Sequence, residues 1–173
     1  MGERVILTNE DVKQFENALF MLDTSITELY RVATAMIPEQ FVVEGLKTYL
    51  TEFCRKVEKE RNIKIDLEIV NDFGKIDRSK DYSVFQIIRA LIDYTLKYAE
   101  AARVSITIEV EGPLVNIQFT NSGKGFDITG PEVAGAKEIA HIKLWVEILK
   151  GKFQILPNPT KGNEIYIELN LKN

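Results

Sequence analysis

Along the first part of the chain, apolar residues recur at alternating steps of three and four: Val12, Phe15, Leu19, Leu22, Ile26, Leu29, Ala33 and Met36. A period of about 3.5 residues is the heptad seam of a paired helix. Thr8, with Glu10 and Asp11 close behind, supplies a helix start. A helix this long with one narrow stripe takes most of its stability from whatever covers that stripe. The stripe could lie on the chain's own core, but its period and its place outside the α/β region favour a seam between two copies. Pro38 closes the segment, so residues 1–37 are expected to form a dimerisation helix and 38–173 a separate domain.

Beyond Pro38 the periods alternate. Val42, Leu46, Tyr49, Leu50, Phe53 and Val57 mark a helical face, and Ile63, Ile65, Leu67 and Ile69 then alternate with Lys64, Asp66 and Glu68 as a strand covered on one side. A second helical stripe runs through Val84, Ile87, Ile88, Leu91 and Thr95. Val104 to Val110 and Val115 to Phe119 alternate as strands around the turn Glu111-Gly112-Pro113. Ile139, Ile142, Val146 and Leu149 stripe a last helix, with Gly151 as its expected end, and Phe153, Ile155 and Ile165 to Leu171 complete the sheet. One-sided strands with amphipathic helices between them predict an α+β fold, a two-layer α/β sandwich with helices on one face.

Composition narrows the setting. The 173 residues carry a net charge of -4 and are 45% hydrophobic, an ordinary globular balance with no electrostatic reason to expect nucleic acid. No apolar run reaches the roughly 20 residues of a membrane span, so membrane contact by this chain is not expected. Cys54 is the single cysteine and lies on the apolar side of a helix, which suits a buried hydrophobe in a reducing, cytoplasmic setting.

Candidate chemistry begins at Asn121-Ser122-Gly123-Lys124-Gly125-Phe126, a G-x-G turn after a strand. Alone it is a common hairpin element. Its conjunction with the helix ending Leu96-Lys97-Tyr98-Ala99, with Glu28 to Glu39 followed by Gly45-Leu46, and with Lys150-Gly151-Lys152-Phe153 before Lys161-Gly162 is more specific. In that order the segments resemble the second dimerisation helix and catalytic domain of sensor histidine kinases, in the group whose partners are helix-turn-helix response regulators. The resemblance implies a Bergerat-type fold, a Mg-ATP site and two-component signalling. Anti-sigma-factor kinases share that fold and are a weaker match.

The resemblance also implies what has changed. It places Tyr94 where the family has a metal-coordinating Asn, and Ala90 one helical turn earlier where it has a catalytic acid. A neutral phenol suits a hard cation poorly. Asp93 lies about 100° away around a regular helix. Asn121 takes the place of the adenine-reading Asp, and Gly123 and Gly125 form the turn beside it. Glu138 falls near the family's second glycine box, where a carboxylate opposes phosphate. Ala90, Tyr94, Asn121 and Glu138 are therefore expected to converge on one cleft, between the Val84 to Ala99 helix and a lid running from Ile128 to Ala136, with no metal ligand and no catalytic residue among them. His141, the single histidine, follows the lid and is expected on a helix surface, whereas the family's phosphoacceptor belongs to the first hairpin helix, which this chain lacks. The expected function is a kinase-like signalling module, a pseudokinase that binds ATP and Mg²⁺ weakly or not at all, does not autophosphorylate, and works as a homodimer docking a response regulator or another kinase. The alternative is the ATP-binding fragment of an active sensor kinase that phosphorylates a histidine elsewhere.

Overall fold

Alternating burial along the strands organises the α/β region of the computed structural model, which describes residues 9–35, 37–71, 78–124, 136–158 and 162–171. Thr8, Met36, Gly125, Phe126 and the 128–135 part of the expected lid lie outside the described residues. The chain separates into two compact units, Met1–Ile37 and Pro38–Asn173. In the first, helix α1 spans Asn9–Ala35 and presents Phe15, Leu22 and Leu29 at 66%, 58% and 70% exposure.

The second unit begins with α2, Glu39–Arg61. Gly45 interrupts it with φ 77° and ψ 170°, a conformation only glycine adopts at low cost. The interruption resets the helical phase, so Phe41 faces the core and Val42, expected there, is exposed. Asn62 caps the helix in the left-handed region, and Glu58 turns back to accept from the Ile65 N–H at 2.8 Å. Strand β1, Lys64–Val70, leads to α3, Arg78–Tyr94. There the last turn widens: Thr95–Ala99 form a π-helical turn that Glu100 closes with a positive φ. Strands β2, Arg103–Glu111, and β3, Leu114–Asn121, pair through the two-residue Gly112-Pro113 turn, whose positive φ at Gly112 is what a primed hairpin turn requires.

Helix α4 runs Ala136–Ile148, and β4, Lys152–Asn158, and β5, Gly162–Asn170, close the sheet in the order β1-β2-β3-β5-β4. Among the described strands only β1 and β2 pair in parallel, as the α3 crossover between them demands. The left-handed residue ending α4 is Lys150 rather than the expected Gly151. Gly151 is needed for another reason: a Cβ there would stand 2.6 Å from the Glu168 carbonyl oxygen.

In β2, β3 and β5 the inward residues are those the alternation marks, whereas Leu67 and Ile69 of β1 and Phe153 and Ile155 of β4, on the outer strands of the sheet, are only half-buried. Val104, Ile106, Ile108, Val115, Ile117, Phe119, Ile165, Ile167 and Leu169 are buried beneath the helical stripe Val84, Ile87, Ile88, Leu91 and Thr95. Each fully buried aliphatic or aromatic side chain contributes roughly 1.5 to 3 kcal/mol. Edge-on aromatic contacts at 5.0 to 5.4 Å join Tyr49, Phe53, Phe85, Phe41 and Tyr82 where α2 meets α3. On the opposite face of the sheet Gln118, Tyr166 and Glu168 are exposed.

Candidate functional site

The stripe that buries α3 against the sheet also buries Tyr94, which is 2% exposed. Its ring lies 5.0 Å from that of Tyr98, inclined at 45°. The Tyr98 hydroxyl donates to Oε1 of Glu138 at 2.9 Å, and Lys97 Nζ reaches the same oxygen at 3.4 Å. Glu138 stands in the first turn of α4, where the aligned helix dipoles favour a carboxylate. The π-turn and the start of α4 are thus fastened together by one carboxylate oxygen.

This geometry sets the electrostatics. Burial, then the neighbouring Tyr98 and Glu138, push the Tyr94 hydroxyl up to about 12. The hydrogen bond from Tyr98, then the backbone N–H of its own residue, hold the Glu138 carboxyl below its usual range, with Lys97 adding to this. The same bond raises Tyr98. At neutral pH the cluster is therefore a carboxylate held by an ammonium and a phenol, beside a second, neutral phenol.

Asn121 is the last residue of β3, paired with Val104 and 4% exposed. Its Oδ1 accepts from the Gly123 N–H at 3.1 Å, while its buried Nδ2 meets no acceptor among the described residues. The Gly123 N–H fixes the orientation of the amide, since the opposite one would set donor against donor. The Lys124 N–H then donates to the Ala99 carbonyl at 2.7 Å. A Cβ on Gly123 would stand 2.0 Å from that carbonyl oxygen, and one on Gly162 would stand 1.8 Å from the Asn121 carbonyl oxygen. Two glycines therefore let the turn pack between the end of the π-turn and the start of β5.

The sequence-derived residues are only partly drawn together. Tyr94 and Glu138 meet through Tyr98, and the Asn121 turn is anchored to Ala99, the last residue of the same π-turn. Ala90 is half-buried one turn before Tyr94. Gly125 and residues 128–135 of the cleft's other wall lie outside the described residues. Lys97 and Tyr98, used in the sequence only as anchors for the resemblance, are the groups that hold Glu138. The spacing of Tyr94 and Tyr98 at i and i+4 was the signal that could have found them. Asp93 takes no part: it pairs with Arg89 at 3.7 Å and lines a groove of about 370 Å³ between α2 and α3 with Lys56, Glu60, Arg61 and Phe53. That groove is of mixed charge and not acid-lined. Among the described residues no three His, Cys, Asp or Glu side chains are grouped to hold a metal ion, and His141 is exposed on α4.

No protein-family model matches the chain. It is 23% identical over 161 residues to the signal transduction histidine-protein kinase/phosphatase DegS of Brevibacillus brevis, a match covering 93% of this chain and 42% of that protein. The chain thus spans less than half the length of that relative. Among solved structures it resembles the Acinetobacter baumannii histidine kinase AdeS, with a TM-score of 0.57 at 15% identity over 98% of this chain and 88% of that one. It likewise resembles the catalytic domain of histidine kinase ThkA, with a TM-score of 0.57 at 16% identity over 75% of this chain and 92% of that one. The fold is that of the histidine-kinase catalytic domain, as the sequence motifs implied.

Proposed function

We propose that this chain, a histidine-kinase catalytic domain in fold, is a two-component signalling protein whose Mg-ATP site is weakened or lost, acting as a dimeric interaction module. The observation that carries the reading is the state of Tyr94. At the position that the resemblance assigns to a metal-coordinating Asn stands a buried, neutral phenol whose hydroxyl is pushed up to about 12. Mg²⁺ takes compact oxygen donors in octahedral array, mostly carboxylates, phosphates and water, and sheds its own water reluctantly. These residues do not fit Mg²⁺, and Ala90 has no group that could act as an acid or base. The Tyr94 ring packs on Tyr98, whose hydroxyl is bonded to Glu138; on this reading the group supplies bulk and negative charge where the resemblance calls for room for phosphate.

Two features support the interaction role. The exposed apolar seam of α1 suits a second copy of the chain, and the likeness to two-component kinases suits docking to a response regulator or another kinase. Calorimetric titration with Mg-ATP and with a non-hydrolysable analogue tests the reading. The expected outcome is affinity far below that of an active kinase domain, with no radiolabelled phosphate transferred to the chain. Tight Mg-ATP binding would overturn it in favour of the catalytic fragment of an active sensor kinase.

A further inference from the structure

Two side-chain donors converge on Oε1 of Glu138, in the first turn of α4: the Tyr98 hydroxyl at 2.9 Å and the Lys97 ammonium at 3.4 Å. A cation and a hydroxyl around one anionic oxygen are what a bound oxyanion requires, because charge-assisted bonds of this kind are the strong ones. We propose that Lys97 and Tyr98 form an oxyanion seat that Glu138 fills in cis, so that the chain carries its own substitute for an anionic ligand.

The seat reaches solvent: the Lys97 side chain is 59% exposed and that of Glu138 28%. A soluble anion could therefore approach these donors if the carboxylate left. Glu138 competes as a tethered group at an effective concentration of roughly millimolar order, so a free anion of similar intrinsic affinity must exceed that concentration to displace it. The π-turn helps to build the seat. It widens the helix at Thr95–Ala99 and brings two consecutive residues, Lys97 and Tyr98, onto the same acceptor, which neighbours about 100° apart on a regular helix do not readily share. The choice of phosphate as the displaced anion rests on the nucleotide-cleft reading proposed above; the self-filled seat does not.

The test is isothermal titration of metal-free inorganic triphosphate into the full chain, comparing the wild type with E138A, E138Q and K97A/E138A. The wild type is expected to give no saturable heat, E138A to gain at least about tenfold in affinity, and K97A/E138A to lose that gain. An E138A chain that binds no better than the wild type overturns the proposal, as does a K97A/E138A chain that binds as well as E138A. If circular dichroism shows E138A unfolded, E138Q decides: it keeps an acceptor for Tyr98 while removing the charge, and it must still bind triphosphate better than the wild type. Because no metal is present, tight Mg-ATP binding by the wild type would count against the proposed function alone.

Discussion

Tyr98 donates its hydroxyl proton to Oε1 of Glu138 across 2.9 Å, tying the π-turn to the first turn of α4. The bond has a pH signature. It is the largest cause holding the Glu138 carboxyl below its ordinary value of 4.5. A group lowered on folding contributes stability that is present above its unfolded value and is lost as pH falls through the folded one. Wild-type stability should therefore decline more steeply than that of E138Q as pH drops below 4.5, measured by urea unfolding midpoints. Parallel acid limbs would contradict the contact.

The largest upward shifts on the alkaline side belong to Tyr94 and Cys54. Burial pushes both to about 12, from 10.0 and 9.0. Both are neutral when protonated, so the stability they contribute is complete below those ordinary values and is lost as pH rises through about 12. Y94F should flatten part of this decline, read from melting temperatures across the alkaline range. Cys54, 4% exposed, should react with a thiol reagent only on unfolding, since the thiolate is the reactive form. Rapid labelling of the native chain at neutral pH would contradict its burial.

Much of this architecture was legible in the sequence because it depends on periodicity. The alternation from Val104 to Phe119 and the stripe from Val84 to Thr95 are set by which side chains must leave water, and their burial follows the pattern. What could not be read were changes of backbone phase. Gly45 exchanges Phe41 for Val42 at the core, and the π-turn at Thr95–Ala99 redirects Lys97 and Tyr98, neither of which alters the count of apolar residues. Likewise the role of Gly151 depends on a strand more than a dozen residues away, a distance local turn rules do not span.

The glycines of the site can be ranked by what a methyl group would meet. G162A should be severe, since its Cβ would stand 1.8 Å from the Asn121 carbonyl oxygen at a backbone φ of +90°. G123A meets the Ala99 carbonyl oxygen at 2.0 Å. Each should cost on the order of 1 to 3 kcal/mol or more, because backbone cannot swing aside as a flexible side chain can. G112A, with a φ of +61° and nothing within 4 Å, should lose only the roughly 1 to 2 kcal/mol of a left-handed alanine. Denaturant unfolding of the three variants tests the order, and a G162A chain as stable as G112A would contradict the packing of the turn.

The seam of α1 predicts an oligomeric state. Leu22 and Leu29 are 58% and 70% exposed, and leucines repeated along a heptad register are stable in water only when a partner covers them. The wild type should sediment as a dimer, and L22K/L29K should sediment as a monomer with the sheet domain still folded. A dimer that survives both lysines would place the interface elsewhere.

Restoring the side chains that the resemblance calls for at Tyr94 and Ala90 gives the sharpest test of the inferred register. Asn at 94 supplies a compact carbonyl oxygen, and Glu at 90 supplies a carboxylate one turn away on the same helical face. Removing a fully buried ring costs on the order of 3 to 5 kcal/mol, a large share of the roughly 5 to 15 kcal/mol that keeps a domain folded. Y94N/A90E should therefore melt well below the wild type when free, and nucleotide with Mg²⁺ should recover part of the loss, since a ligand that binds only the folded state raises its stability. Metal-dependent affinity for a non-hydrolysable ATP analogue should rise by about tenfold or more over the wild type. Because Glu138 still holds Lys97 and Tyr98, the gain should be larger in an E138Q background than alone. A folded Y94N/A90E chain whose affinity does not respond to Mg²⁺ would show that Tyr94 does not stand at the metal position.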